Sequence, residues 1–178
     1  MNSFFKRIDL YDSLTIEINI QKEELIRRLG KITYKTNSTF ISLIKDSTIP
    51  TRFEYRGTMS NDSFIIKRRR RFFDINMNYP LIKGNLSGNH DLTAVFIEFT
   101  PPFFQIFTPV LTVIFSLLVM LNLENEDQNL LFLVIPGFII ISQYFVLKRE
   151  IRKGKYDFER ELTHITRKYT PSLSAIKV

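Results

Sequence analysis

Residues 99–147 read FTPPFFQIFTPVLTVIFSLLVMLNLENEDQNLLFLVIPGFIIISQYFVL. Two uncharged runs, Phe99 to Leu123 and Gln128 to Leu147, are separated here only by Glu124-Asn125-Glu126-Asp127. A hydrocarbon core about 30 Å thick takes roughly 20 mostly apolar residues at about 1.5 Å rise each, and both runs meet that length. The sequence therefore predicts a two-helix transmembrane hairpin, with spans at 103–123 and 130–147 and an acidic turn at 124–129. The expected class is α+β. A small antiparallel-sheet cytoplasmic domain (1–100) precedes the hairpin (101–147), and a basic juxtamembrane segment with a C-terminal helix (148–178) follows it.

Charge is divided along the chain. The overall +7 resolves into +5 before the hairpin, −3 in the turn and +5 after it. Basic residues are retained on the cytoplasmic side of a membrane. Lys148, Arg149, Arg152, Lys153 and Lys155 follow the second run within eight residues, whereas the turn has no base. The expected placement is a multi-pass protein of the cytoplasmic (inner) membrane with both termini cytoplasmic. The amino terminus, Met1 to Arg7, has no apolar run behind it and does not read as a secretory signal.

The flanks carry the sheet. Leu14, Ile16, Ile18 and Ile20 alternate with Thr15, Glu17 and Asn19, the period of a half-buried strand. Gln21 to Leu29 puts Leu25, Ile26 and Leu29 on one helical face, with acids first, bases last and Gly30 as the stop. Two hairpins follow. One joins Phe53–Met59 to Ser63–Lys67 through Ser60-Asn61-Asp62, and the other joins Leu81–Leu86 to Leu92–Phe99. In the last strand Val95, Ile97 and Phe99 face one way and Ala94, Phe96 and Glu98 the other. Pro101-Pro102 ends the sheet, Pro136-Gly137 predicts a kink in the second span, and Tyr156 to Tyr169 resumes a helix with Phe158, Leu162, Ile165 and Tyr169 on one side.

Two groups of residues are candidates for contact. Lys67, Arg68, Arg69, Arg70 and Arg71, together with Lys148, Arg149, Arg152, Lys153 and Lys155, form basic clusters beside the predicted bilayer. Each base near an anionic surface contributes about 1 kcal/mol, which makes anionic membrane lipids the expected partner. Nucleic acid is the weaker alternative, because no recognition motif accompanies the arginines. A protein partner or a homo-oligomer is the other expectation. Within the spans Gln105, Thr108, Thr112 and Ser116 fall on one stripe, and Gln143 lies at a similar depth to Gln105, so an interhelical polar contact is expected. The same stripe could line a solute path.

Catalytic signatures are missing from the sequence. There is no cysteine, P-loop, G-x-G-x-x-G or G-x-S-x-G, and His90 and His164 stand in no metal-ligand spacing. The sequence predicts no catalytic residue, metal or cofactor. The expected function is a non-enzymatic interaction or regulatory module at the cytoplasmic membrane face. A transport or channel-associated subunit and an uncharacterised membrane enzyme are the alternatives.

From Phe53 to Phe99 the chain runs Phe-x-x-x-Gly57, then Phe64-Ile65-Ile66-Lys67-Arg68, then Tyr79-Pro80-Leu81-Ile82-Lys83-Gly84-Asn85-Leu86. This order resembles a group of uncharacterised small bacterial membrane proteins in which a "G…F-x-I…P-x-I-x-G" segment precedes two transmembrane helices. The resemblance covers about half the chain and implies an architecture without an activity. The arginine run is longer here. Gly57 and Gly84, inside strand patterns, predict bulges or close backbone approach.

Overall fold

The computed structural model describes residues 2–36, 46–70, 79–89, 92–121 and 126–167; side chains at 120–133 lie outside the description. The short helix α1 (Asn2–Arg7) leads into β1 (Asp12–Ile18), α2 (Lys22–Ile32) and β2 (Thr33–Lys35). Then come a single 3-10 turn, β3 (Tyr55–Met59), β4 (Ser63–Arg68), β5 (Leu81–Asn89), β6 (Leu92–Thr100), α3 (Phe103–Leu121) and α4 (Glu126–Arg167). The six strands stand in the order β1-β6-β5-β4-β3-β2. All neighbours are antiparallel except β2 and β3.

Alternation decides which sheet face is covered. Phe64 and Ile66 of β4, Ile82 and Leu86 of β5, and Val95, Ile97 and Phe99 of β6 are buried on one face. Leu25 and Leu29 of α2 and Phe158, Leu162 and Ile165 of α4 close over it, and Phe5 and Leu10 from the amino-terminal segment complete the core. Among the described residues no α-helix covers the other face, which is the open one. It presents Arg56, Lys67, Lys83 and Glu98 around Phe96, which pairs with Thr15 and Asn85.

Both predicted hairpins form, and the β6 facing is as expected. Gly30 does not stop α2. Open space surrounds it, and the helix runs on to Ile32, which packs against the core. Close approach rather than a bulge explains Gly57 and Gly84, since both ladders pass through them in continuous register. A Cβ at Gly57 (φ 156°) would stand 2.0 Å from the Ile65 carbonyl oxygen, and one at Gly84 would stand 2.1 Å from Cζ of Phe64.

The largest correction concerns residues 101–147. Among the described residues no helix is long and apolar enough to cross a membrane. The transmembrane hairpin, the membrane assignment and the multi-pass inner-membrane placement with both termini cytoplasmic are therefore corrected. Nor does a second span end at Leu147. α4 is one helix of 42 residues that continues through Pro136 and across the predicted boundary, and Leu147 and Ile151 are already core. Tyr169, part of the acidic turn and residues 37–45 lie outside the described residues.

Burial has a consequence for alkaline stability. Tyr55 is buried against Phe158, and burial is the main cause that pushes its phenol well above the ordinary value of 10.0. The folded state holds the neutral phenol while the unfolded chain ionises near pH 10, so this contribution is present below pH 10 and is lost as pH rises above it. Tyr55→Phe is expected to move the alkaline unfolding midpoint upward, followed by circular dichroism alongside phenolate absorbance. An unchanged midpoint would show that Tyr55 does not govern it.

Candidate functional site

α3 and α4 pack on one another as an antiparallel pair, and their remaining surface is apolar and exposed. Phe104, Phe107, Leu111, Ile114 and Phe115 on α3 and Val134, Ile135, Phe138, Ile141 and Phe145 on α4 are all exposed. Single exposed hydrophobics are ordinary, but a contiguous face beyond a few hundred Å² marks an interaction site.

The polar stripe is satisfied from within. The hydroxyls of Thr108, Thr112 and Ser116 each donate to the backbone carbonyl four residues earlier, Phe104, Thr108 and Thr112, at 3.0, 3.0 and 2.8 Å. Their donors thus need no water and no second helix. Oε1 of Gln105 and Oε1 of Gln143 are both buried, and among the described residues the Gln143 oxygen accepts no hydrogen bond.

The basic residues divide into two kinds. In the first cluster Arg68 reaches the covered face, where it donates to Asp157 at 2.7 Å and lies over the Tyr79 ring. Arg69 is buried and donates to the Ile49 carbonyl at 2.6 Å. Lys67 is half-buried on the open face beside Arg56, and burial pulls its ammonium below the ordinary range. Arg70 is exposed, and Arg71 lies outside the described residues. Lys67 and Arg68 do not make one cationic surface, because strand alternation sends them to opposite faces, and Arg69 is buried.

The second cluster is split by helical phase. Lys148 pairs with Asp9 and Lys155 with Asp12, fastening α4 to the turn after α1 and to the start of β1. The hydrogen bond and charge of Lys148 hold the Asp9 carboxyl below the usual carboxylate range, and Asp9 in turn raises Lys148. Arg149, Arg152 and Lys153 are exposed, although the charge of Arg152 also acts on Asp9 and Lys148 and Lys153 also borders the pocket beside Glu150. Together with Lys148, Asp157 and two aromatics, Phe145 and Tyr156, they line a shallow groove of about 630 Å³.

Sequence reading missed the two aromatic ends, since Phe145 was counted in a span and Tyr156 in a separate helix. The signal was present in the spacing 145, 149, 152, 153, 156, one stripe of a continuous helix. It was also blind to Glu150, which is buried between core residues and lines a small pocket with Arg68, Tyr79 and Gly154. Gly154 lets α4 approach that pocket, for a Cβ there would stand 2.4 Å from Cγ of Pro80. The chain matches no protein-family model, no curated protein and no solved structure.

Proposed function

We propose that the protein is a non-enzymatic interaction module that seats the exposed α3–α4 hairpin in a lipid layer and holds its α+β domain beside that layer. The observation that carries this reading is the continuity of apolar surface, from Phe104 to Phe115 on α3 and from Val134 to Phe145 on α4. Seating of this kind asks for exposed apolar faces, not for a helix that crosses. The internally bonded hydroxyls of α3 are compatible with it, since they bring no unpaired donor into hydrocarbon.

Flotation of the full-length chain with neutral phosphatidylcholine vesicles tests the proposal. Wild type is expected to float. Phe115 and Phe138 are 67% and 72% exposed, so Phe115→Asp and Phe138→Asp leave the core untouched. A carboxylate in hydrocarbon costs about 3 kcal/mol, and the double variant is expected to stay in the aqueous fraction with unchanged circular dichroism. Wild type remaining in the aqueous fraction as a discrete dimer, its hairpin protected by a second copy, would overturn the lipid reading.

A further inference from the structure

We infer that the Phe145–Tyr156 stripe of α4 is a headgroup site for anionic phospholipid in a bilayer; this rests on the lipid seating proposed above. Three observations lead there. First, the acids nearest the stripe already hold partners: Asp9 and Asp12 engage Lys148 and Lys155, and Asp157, the acid lining the groove, pairs with Arg68 and Arg160. The exposed Arg149, Arg152 and Lys153 therefore leave positive charge along an open groove on one helix. Secondly, the two guanidinium groups offer planar forks that suit phosphate oxygens, with the lysine as a third, more mobile donor. Thirdly, Phe145 and Tyr156, 62% and 72% exposed, bracket the cations. Phe145 continues the apolar hairpin, while Tyr156 combines an apolar ring with a polar tip, the side chain suited to a boundary between hydrocarbon and water.

Charge complementarity selects the occupant. An amphiphilic surface with phosphate above hydrocarbon matches a cationic groove that opens directly beyond an apolar helix pair. The four-residue and three-residue steps along the stripe keep the groove on the side of α4 opposite Leu147, Ile151 and Phe158, which are buried in the sheet core. A headgroup can thus enter without disturbing the fold.

The full-length chain, diluted from mild detergent, is titrated with vesicles of phosphatidylcholine alone and with vesicles containing phosphatidylserine. Wild type and Arg149→Gln/Arg152→Gln/Lys153→Gln are expected to bind the neutral vesicles equally. On the anionic vesicles the triple variant is expected to bind roughly 100-fold more weakly than wild type, with the gap narrowing as salt rises. Equal binding of wild type to both vesicles, unaffected by the triple substitution, would overturn the headgroup site while leaving the hairpin seating intact. Failure to bind either vesicle would remove the seating itself and the headgroup site with it. Displacement from anionic vesicles by inorganic phosphate at millimolar concentration would reassign the groove to the free anion and overturn the inference.

Discussion

Phe158→Ala is expected to destabilise the protein by about 3–5 kcal/mol, a large share of the 5–15 kcal/mol typical of a folded domain. The ring is fully buried, and it meets Tyr55, Phe64 and Phe99 with centroids 5.7, 5.9 and 6.3 Å away. These three partners come from β3, β4 and β6, so one side chain of α4 keys the helix to most of the sheet. Truncation removes the buried ring and leaves a cavity walled by strand residues that cannot collapse inward. Urea unfolding followed by circular dichroism measures the loss. A change below about 1 kcal/mol would mean that α4 is held to the sheet chiefly by its ion pairs with Asp9 and Asp12.

Gly84→Ala carries the second large effect, a loss of about 1–3 kcal/mol from overpacking. Phe64 and Gly84 are partners in the β4–β5 ladder, and the far end of the Phe64 ring occupies the space beside the glycine, with three ring carbons 2.1 to 2.7 Å from where a Cβ would stand. Phe64 is 1% exposed and has nowhere to turn. The paired experiment is a double-mutant cycle with Phe64→Ala. Removing the ring admits the new methyl, so the double variant is expected to be more stable than the two single losses predict, by about 0.5–3 kcal/mol. Simple additivity would show that the glycine is needed for some reason other than this ring.

Local periodicity is what the sequence made legible. The alternation around Val95, Ile97 and Phe99 and the helical spacing of Phe158, Leu162 and Ile165 each lie within a few residues, and the structure buries both sets. The partner of each element was hidden, because β1 pairs with β6 across about half of the chain and Lys155 meets Asp12 over a separation of 143 residues. The apolar runs misled in a specific way. Composition changes sharply at Lys148, and such a change reads as a boundary, yet helical phase crosses it unbroken from Leu147 to Ile151. Likewise Lys67, Arg68 and Arg69 read as a patch only while strand alternation and the burial of Arg69 are ignored. In the candidate site, Arg149, Arg152 and Lys153 were legible as charge. Their separation from Lys148 and Lys155 required knowing where Asp9 and Asp12 lie.

α4 also fixes an angle. From Phe138 to Phe158 the helix advances about 30 Å and each residue turns it by a constant step, so its apolar end and its core end share one rotational phase. Whatever grips Phe138 and Phe145 thereby sets both the stand-off of the sheet and the compass bearing of its open face, with Arg56, Lys83 and Glu98 around Phe96. One residue added before Leu147 would swing that face by more than a quarter turn relative to the hairpin, without altering a single contact inside the sheet. The length of the helix acts as an indexing shaft, and the direction in which the domain faces is written in a residue count rather than in any surface.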